Sequence, residues 1–251
     1  MTSPRVVILS GGKGTRLRPF TASFPKPLVP IGDMPILEVV LRQLAQHGLT
    51  HATLAVGHLA DLIRAFVTQH QDLSRMMQVD FVSEKEPTGT AGSLANIKGL
   101  DDTFLVMNGD VLTDLDYQNL IKVHKQSGAA LTIAGHREKR KIGLGVLETE
   151  PDGRLTNYVE KPEYDFNVSM GIYVYEPRVL DLIQPGKYLD FPDLVLQLLE
   201  KGEHVQVHNS DAFWLDIGRP EDYALAQEIF EREPEKFNIG KVAQDLKASS
   251  A

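Results

Sequence analysis

The stretch that decides the fold lies at residues 5–19 and reads RVVILSGGKGTRLRP. Its first part, Arg5–Leu9, has the β-branched composition of a buried strand, and a glycine-rich turn follows this strand directly. Such a turn is typical of a phosphate site, because glycine lets the backbone approach an anion closely and successive amides can surround it. The turn therefore predicts an anion site whose ligand depends on the residues that follow.

Two common phosphate-binding templates do not match this turn. A P-loop requires Ser or Thr after Gly-Lys, whereas Gly14 follows Lys13 here. A dinucleotide fingerprint requires a glycine three positions after its second glycine, and Leu17 stands at that position. The remaining pattern, Gly-Gly-x-Gly-Thr-Arg-Leu-x-Pro, brings Arg16 close to the glycines, and Lys26 follows between two prolines that fix its backbone. Both cations can neutralise a polyphosphate.

Composition and charge limit the class of protein. The chain has 251 residues, of which 42% are hydrophobic and 24% are charged, as in ordinary globular domains. A net charge of −8 and a pI near 5.5 give no overall attraction to nucleic acid or to anionic membranes. There is no cysteine, which excludes disulfides and thiolate metal sites. No apolar stretch is long enough for a signal sequence or a membrane span, so we expect a cytoplasmic protein, for which homo-oligomers stay possible.

Short β-branched runs alternate with helical patterns over the first 140 residues. Such β-α-β units favour a mixed, mainly parallel sheet flanked by helices, with binding loops at the carboxyl ends of its strands. Asp116 is the predicted cap of the last helix in this series. The predicted strands are Arg5–Leu9, His51–Val56, Gln78–Val82, Thr103–Met107 and Ala129–Ala134, and the predicted helices are Pro35–His47, Ala60–Thr68, Gly92–Ile97 and Tyr117–Lys125.

The pattern changes after about residue 140. A Pro-Asp-Gly turn between two strand-like runs predicts a hairpin. We predict one domain over residues 1–240, in two halves that meet near residue 140, and a tail at residues 241–251. The hairpin is predicted at Gly145–Glu150 and Leu155–Glu160, further strands at Ser169–Tyr175 and Ala212–Ile217, and helices at Asp193–Lys201 and Pro220–Arg232.

Eight short motifs, in one order, resemble the sugar-1-phosphate nucleotidyltransferase family, and within it the mannose-1-phosphate guanylyltransferase-like enzymes. Each motif is weak alone, but together they span roughly residues 5–230. The resemblance implies a single Rossmann-like domain of the glycosyltransferase-A type, with a nucleotide-binding half to about residue 140 and a sugar-binding half over 141–240. The motifs are Gly11-Gly-Lys-Gly-Thr-Arg-Leu-Arg-Pro, Pro25-Lys-Pro, Pro30-Ile with Pro35-Ile-Leu-Glu, Pro87-Thr-Gly-Thr-Ala-Gly, Asn108-Gly-Asp110, Glu160-Lys-Pro, Met170-Gly-Ile-Tyr and Trp214-Leu-Asp-Ile-Gly.

The resemblance implies that a nucleoside triphosphate and a sugar 1-phosphate react to give a nucleotide sugar and pyrophosphate. Because two polyanions meet, the site must supply positive charge. Mg²⁺ is the implied cofactor, and it needs few protein carboxylates because it keeps phosphate and water oxygens as ligands. The matching metal ligands are Asp110 and Asp216. Each could instead be a turn, capping or buried hydrogen-bonding acid.

The resemblance also assigns roles to other residues. Arg16 matches the residue at the leaving phosphates and Lys26 the residue at the α- and sugar phosphates, so Arg16, Lys26 and Asp110 form the implied catalytic set. The implied sugar-phosphate site consists of Gly145, Glu160, Lys161 and Ser169. The implied nucleotide-binding residues are Leu9, Gly11, Gly12, Gly14, Thr15, Arg16, Glu84, Gly89, Thr90, Asn108 and Gly109.

Glu84, at the end of a predicted strand, is the best clue to the base. A carboxylate can accept hydrogen bonds from both the N1–H and the 2-amino group of guanine. The carbonyl oxygens of uracil or thymine would repel it, because they carry negative partial charge. Glu84 therefore favours GTP, unless it is a solvated charge beside Lys85 and Glu86. For the sugar, the resemblance implies mannose 1-phosphate or a related hexose or heptose, although Ser169-Met-Gly stands where many mannose enzymes have Asn-Ala-Gly.

Other functions stay open at this point. The chain could be a uridylyl-, thymidylyl- or cytidylyltransferase that acts on another sugar 1-phosphate, or on a non-sugar phosphate or phosphonate. It could also be a sensor that binds nucleotide sugars without catalysis. The presence of Arg16, Lys26, Asp110 and Asp216 together argues against a sensor, because a binding module has little use for the whole set of charges.

Overall fold

The alternation of β-branched and helical stretches forms a central sheet of seven strands. The structure, a computed structural model, describes residues 3–84 and 86–237. The predicted tail at 241–251 and the last residues of the predicted domain, 238–240, lie outside the described residues. Within the described part of the chain, no helix is long and apolar enough to span a membrane.

The strands coincide with the β-branched runs wherever these are buried on both faces. Val6, Val7 and Ile8, in the strand before the glycine turn, are fully buried. The strands are β1 (Val6–Ser10), β2 (Pro30–Ile31), β3 (Met34–Pro35), β4 (His51–Val56), β5 (Gln78–Ser83), β6 (Phe104–Asn108), β7 (Val111–Thr113), β8 (Leu131–Lys141), β9 (Val146–Thr149), β10 (Leu155–Val159), β11 (Glu163–Tyr175), β12 (Val205–Ser210) and β13 (Trp214–Asp216).

The central sheet has the strand order β12-β8-β11-β6-β1-β4-β5. β1 pairs in parallel with β4 and β6, β4 with β5, and β8 with β12, whereas β11 is antiparallel to both of its neighbours. The sheet is therefore mixed and mainly parallel, as predicted. Three two-stranded sheets, β9–β10, β7–β13 and β2–β3, lie outside it.

Helices cover both faces of the sheet. Successive side chains of β1 point to opposite faces, so apolar residues of this strand contact both helical layers. The helices are α1 (Ile36–Gln46), α2 (Ala60–Gln69), α3 (Gln71–Met76), α4 (Gly89–Gly92), α5 (Tyr117–Ser127), α6 (Phe191–Glu200) and α7 (Pro220–Arg232). Val6 and Ile8 pack with α1, α2, α3, α5 and α7, whereas Val7 packs with α6 on the other face.

Several elements differ from the sequence prediction. The predicted helix at Gly92–Ile97 is mostly a 3₁₀ turn, Ser93–Asn96, which follows a single α-helical turn, α4, that ends at Gly92. Strand β12 was not predicted, because this edge strand alternates apolar and polar residues and so lacks a continuous apolar run. The predicted strand at Ala212–Ile217 forms only three paired residues, β13, and pairs with β7 rather than with the central sheet.

One edge of the sheet positions the site. Because β1, β4, β5 and β6 are parallel, their carboxyl ends lie along this edge. The glycine turn follows β1, Glu84 follows β5, and Asn108 ends β6 directly before Asp110. The topology therefore brings together the glycine turn, Glu84 and the Asn108-Gly-Asp110 motif.

Candidate active site

The glycine turn packs against the loop after β4 and against Lys26. A Cβ atom added to Gly57 would lie 2.8 Å from the backbone oxygen of Gly11, so side chains cannot enter this contact. Gly14 has a φ of 59°, and a Cβ there would lie 3.0 Å from Thr21 and 3.1 Å from the Cβ of Lys26. Glycine is thus required at position 14 both by its backbone conformation and by the close approach of Lys26.

Lys26 is held rigidly below this turn. It begins a 3₁₀ turn, Lys26–Leu28, between the buried residues Pro25 and Pro27. Its ammonium group contacts Oδ2 of Asp110, and the two side chains are only 12% and 22% exposed. This ion pair is therefore partly shielded from water, which strengthens the attraction between its charges.

A small β-ladder brings the two predicted metal ligands together. Asp110 directly precedes β7, and Asp216 is the last residue of β13, where it pairs with Val111. The backbone N–H of Ile217 donates to the backbone oxygen of Asp110 over 3.0 Å. Burial raises the pKa of Asp216, and the neighbouring charge of Asp110 raises this pKa further. The site therefore holds two close carboxylates that favour an added cation.

Arg16 reaches the same carboxylates from the glycine turn. A Cβ added to Gly218 would lie 3.4 Å from Nη1 of Arg16 and 3.4 Å from Oδ2 of Asp216, so both groups border Gly218. Leu17 is fully buried and anchors the 3₁₀ turn that carries Arg16. Arg16, Lys26, Asp110 and Asp216 thus form one cluster of charges.

The donor set fits a magnesium ion. Oδ1 of Asp110 is buried and makes no hydrogen bond within the described residues, as is also true of Oγ of Ser10. A buried acceptor without a partner is unfavourable, so Oδ1 is a candidate metal ligand. Over residues 3–84 and 86–237, no group of three or more acidic or histidine side chains could hold a metal. Two carboxylates suit Mg²⁺, which keeps phosphate and water ligands.

A cleft of about 390 Å³ opens beside this cluster. Eight of its lining residues are among the predicted site residues, whereas five others were not assigned to a site from the sequence. The predicted ones are Leu9, Gly11, Gly12, Glu84, Gly89, Thr90, Asn108 and Asp110, and the others are Ala55, Pro87, Ser93, Tyr188 and Asp190. Gly109 and Lys26 line a smaller adjoining cavity of about 50 Å³, whereas Gly14 and Thr15 line neither space.

The carboxylate of Glu84 borders this cleft and already has one partner. The hydroxyl of Thr88 donates to its Oε1 atom. The backbone N–H of Glu84 donates to Val56 over 3.3 Å, which ties the residue to the end of β4. Glu84 thus lies at the cleft wall with one carboxylate oxygen engaged by a neighbour.

Asp190 is a cleft residue whose contacts the sequence did not reveal. Its Oδ1 accepts hydrogen bonds from the backbone N–H of Thr90 at 3.0 Å and from the Thr90 hydroxyl at 3.2 Å. Its Oδ2 accepts one from the Tyr188 hydroxyl at 2.6 Å. These donors, with Tyr188 the largest influence, lower the pKa of Asp190. Because Asp190 directly precedes α6, its sequence position indicates an ordinary helix cap, and no local signal identifies its distant partner.

A second cavity, of about 520 Å³, continues from the cleft. Thr90 and Asn108 line both spaces, and Ser169, a predicted sugar-site residue, lines the second. We call this space the acceptor cavity. A still larger cavity, of about 790 Å³, lies at the opposite edge of the sheet beside His51 and Gln78, away from the glycine turn and its charges.

The other predicted sugar-site residues lie on or beside the β9–β10 hairpin. Glu160 accepts a hydrogen bond from the Tyr158 hydroxyl at 2.7 Å, and Nζ of Lys161 lies 3.7 Å from its Oε1. Lys161 has a positive φ of 49°, and Gly145 packs against Tyr158. Among the cavities formed by the described residues, neither the cleft nor the acceptor cavity is lined by Gly145, Glu160 or Lys161. Their role at the sugar stays a prediction.

A mainly parallel sheet with a glycine turn, two close carboxylates and two cations at its carboxyl edge defines a nucleotide-binding α/β protein. The family model of nucleotidyl transferases matches residues 5–233, so the chain belongs to the nucleotidyl transferase family. The predicted family and the assignment to the nucleotidyltransferases are therefore confirmed.

Individual relatives differ in the nucleotide and the sugar they are named for. A UTP–glucose-1-phosphate uridylyltransferase from Synechocystis is 34% identical over 87% of the chain, and mannose-1-phosphate guanyltransferase beta-B from Xenopus laevis is 33% identical over 94% of it. The chain spans 61% of the first relative and 68% of the second.

Solved structures share the fold. The crystal structure of HddC from Yersinia pseudotuberculosis complexed with GMP-PN has a TM-score of 0.70 and 29% identity, covering 90% of this chain and 99% of that one. A Bacillus anthracis structure has the same TM-score at 21% identity, which shows the fold alone. The predicted fold class is thus confirmed.

Proposed function

We propose that the chain transfers a nucleotidyl group from a nucleoside triphosphate to a sugar 1-phosphate and releases pyrophosphate. The observation that carries this proposal is the cluster of Arg16, Lys26, Asp110 and Asp216 beside a cleft that begins at the glycine turn. In the reaction, a phosphate oxygen of the sugar phosphate forms a bond to the α-phosphorus. The bond from the α-phosphorus to the bridging oxygen breaks, and its electron pair leaves with pyrophosphate.

The charges of the cluster suit this displacement. Lys26 is mostly buried and lies in a turn between two buried prolines, so it can stabilise negative charge that develops between the α-phosphate and the sugar phosphate without a large rearrangement. Arg16, on the exposed side, can bind the leaving phosphates with its planar guanidinium group. Asp110 and Asp216 would hold Mg²⁺, which neutralises phosphate charge and polarises the α-phosphorus when bound.

For the nucleotide we propose GTP. Glu84 lies in the cleft wall, where a carboxylate can accept from the two neighbouring donors of guanine. The guanyltransferase relative and the HddC complex with a guanosine ligand add support. The Synechocystis relative, named for UTP, keeps uridylyl transfer as the rival outcome of the test.

For the acceptor we propose mannose 1-phosphate or a related hexose or heptose 1-phosphate, bound in the acceptor cavity. Its connection to the cleft through Thr90 and Asn108 supports this location, because an acceptor there would lie next to the bound triphosphate. The proposed division into a nucleotide half and a sugar half is not strict, since Tyr188 and Asp190 come from the second half and line the cleft. Location in the cytoplasm and self-association stay predictions.

The test is pyrophosphate release from each common nucleoside triphosphate with a panel of sugar 1-phosphates, with and without Mg²⁺. We expect release only when triphosphate, acceptor and Mg²⁺ are all present, and the fastest release with GTP. Fastest release with a triphosphate other than GTP would replace the assignment of guanine as the base. No release from any pair, although a triphosphate still protects the fold against heat, would favour a nucleotide sensor or a non-sugar acceptor.

A further inference from the structure

The acceptor cavity has mostly apolar walls. Apart from Thr90, Asn108 and Ser169, all of its lining residues are aliphatic or aromatic. The rings of Tyr173 and Phe191 stack with centroids 3.8 Å apart and form a rigid aromatic surface. The apolar and aromatic lining residues are Ile133, Tyr173, Phe191, Pro192, Val195 and Leu196.

Most polar groups of this cavity already have partners. The Thr90 hydroxyl donates to Asp190 and accepts from the backbone N–H of Phe191 at 2.8 Å. The Ser169 hydroxyl donates to the Tyr173 hydroxyl at 3.3 Å and accepts from the backbone N–H of Gly171 at 3.2 Å. Among the described residues, the amide of Asn108 is the only polar side chain of this cavity without a hydrogen-bond partner.

An unmodified hexose suits such walls poorly. Each sugar hydroxyl that leaves water needs a new hydrogen-bond partner, and an unpaired one costs free energy. Asn108 can serve one or two hydroxyls at the end of the cavity that adjoins the cleft. The wall formed by Val195 and Leu196 of α6 offers the surface that an apolar group requires.

Apolar surface continues along α6 beyond the cavity rim. Leu196 is 57% exposed and Leu199, one turn further on, is 54% exposed. Val207 of the edge strand β12 is 44% exposed, and it pairs with the cavity residue Ile133. Of these three residues, only Leu196 lines the cavity, whereas Leu199 and Val207 lie outside it.

Resting on the proposed function, and selecting the related hexose 1-phosphates over mannose 1-phosphate itself, we infer that the natural acceptor carries an apolar ring substituent, either an acyl group on a ring amine or the methyl group of a deoxy position. The substituent packs against the Tyr173–Phe191 ring pair and the α6 side chains of Val195 and Leu196. The anomeric phosphate points toward Asn108 and the cleft. Specificity thus comes from an apolar contact rather than from hydrogen bonds to hydroxyls.

Matched pairs of acceptors test this inference. We would compare glucose 1-phosphate with N-acetylglucosamine 1-phosphate, and mannose 1-phosphate with 6-deoxymannose 1-phosphate, in pyrophosphate release and in calorimetric titration of the protein. We expect kcat/KM and affinity to be higher by about tenfold to a hundredfold for the substituted member of at least one pair, the range that one additional apolar group gives in a fitted pocket. Equal values, or higher values for the hydroxylated members of both pairs, would overturn the inference.

Two leucines on one helix provide a matched control. Leu196→Gln places a polar group at the cavity wall and should reduce the preference for the substituted acceptor, whereas Leu199→Gln, with similar exposure outside the cavity, should leave this preference unchanged. Val195→Thr, which keeps the shape of the side chain, serves as a second test if Leu196→Gln does not fold. An unchanged preference in the cavity variants would contradict the inference.

The two proposals fail in different ways. If no triphosphate and acceptor pair releases pyrophosphate, the proposed function fails, and the titrations still decide the cavity's preference. If turnover occurs but the substituted acceptors have no advantage in turnover or titration, the proposed function stands and the apolar specificity is wrong. The titrations use the sugar phosphates themselves, so their outcome does not depend on identifying the natural acceptor.

Discussion

Lys26 and Asp110 form a partly shielded ion pair at the centre of the proposed active site. The two prolines beside Lys26 predicted its fixed backbone, and the structure gives this fixation a physical basis, since both prolines are buried. The sequence could not show that Asp110 is the partner, because this contact depends on how the loops after β6 and β1 come together. Motif order suggested both residues separately, and only the fold relates them.

Lys26→Ala should reduce turnover far more than it reduces stability. Removing one preorganised charge from a phosphoryl-transfer site costs about a hundredfold or more in kcat. The melting temperature should also fall, but by less in relative terms, because Asp110 is left mostly buried without its counter-ion. The measurements are pyrophosphate release and the melting temperature, with Lys122→Ala on the exposed face of α5 as the control. A large fall in melting temperature with near-normal turnover would identify Lys26 as a structural residue.

Asp216→Asn should stabilise the metal-free protein at pH 7 while it removes activity. The pKa of Asp216 is raised by burial and by Asp110, so its ionised form is less favourable in the folded than in the unfolded state. The stability gain should therefore be present above the raised pKa and shrink as the pH falls through it, when the wild-type carboxyl also becomes neutral. Thermal unfolding in a chelator across pH measures this effect.

Asp211→Asn, at an exposed position, is the control for Asp216→Asn. The control should change neither the melting temperature nor the turnover. If Asp216→Asn instead lowers the melting temperature at pH 7 and leaves turnover intact, Asp216 is a hydrogen-bonding residue of the fold and not a metal ligand.

Glu84→Gln should weaken the use of GTP selectively. The amide replaces one carboxylate oxygen by an NH₂ group, which cannot accept from the guanine donors. We expect kcat/KM for GTP to fall by about tenfold or more, the size of one lost charged hydrogen bond, with little change for UTP. Competition assays with both triphosphates measure the ratio directly. A fall of equal size for both would show that Glu84 supports the cleft, through Thr88, rather than the choice of base.

At the scale of elements, hydrogen bonds connect the chain segment before α6 to the segment that contains α4, and we call this connection the clamp. Besides the Asp190 contacts with Thr90, the backbone oxygen of Leu189 accepts from the N–H groups of Ala91 and Gly92 at 3.0 and 2.9 Å. The Leu189 N–H donates to Thr88 at 2.8 Å. This clamp joins one wall of the cleft to one wall of the acceptor cavity.

Asp190→Ala should loosen the clamp. We expect the free energy of unfolding to fall by about 1 kcal/mol, typical of a lost hydrogen-bonding group, and KM for the triphosphate to rise more than kcat falls. The pKa of Asp190 is lowered in the folded state, so its contribution is present above the ordinary range near 3.8 and is lost as the pH falls through the lowered value. Denaturant titrations at several pH values and steady-state kinetics give both quantities.

The exposed residue Asp181 supplies a control, Asp181→Ala, which should leave KM and the unfolding free energy unchanged. If Asp190→Ala raised neither KM nor sensitivity to denaturant, the clamp would have no role in positioning the cleft wall.

The elements themselves were predictable where periodicity was strong. Strong apolar runs or apolar faces mark β1, α1, β4 and α2, and these elements form as predicted. Asp116 caps α5, also as predicted, because its carboxylate accepts a hydrogen bond from the backbone N–H of Asn119. Strand β12 was missed, because an edge strand needs only one buried face. The short helix α3 was also missed, since six residues contain too few turns to establish a helical period.

At the scale of the whole molecule, substrates should stabilise the fold by binding the folded state only. A non-hydrolysable GTP analogue at a hundredfold excess over its Kd, with Mg²⁺, should raise the melting temperature by about 5–10 °C. The uridine analogue should give a smaller shift, and a chelator should remove much of the increase in wild type but not in Asp216→Asn. Equal shifts with and without Mg²⁺ in the wild-type protein would argue against a metal bound between the carboxylates and the triphosphate.

The sequence predicted which motifs contribute to the site, but not how their side chains contact one another. The motifs at β1, β5 and β6 meet because parallel strands end at one edge, which the alternation of elements already predicts. The meeting of Asp110 with Asp216 depends on a three-residue ladder. The role of Asp190 depends on a direct contact with Thr90, which lies 100 residues earlier in the chain. Neither arises from local sequence preference, so neither could be inferred from the pattern.

Thr90 and Asn108 line the cleft and the acceptor cavity alike. In terms of inhibitor design, the two binding spaces are neighbours, so a linked molecule that reaches past these two residues could occupy both. A guanosine phosphonate linked to an acylated or deoxy sugar would lose translational freedom once instead of twice, so its affinity should exceed that of either half by orders of magnitude. Because Ile133, Tyr173, Val195 and Leu196 line the acceptor cavity, the sugar half of such a compound gains affinity from its acyl or methyl group.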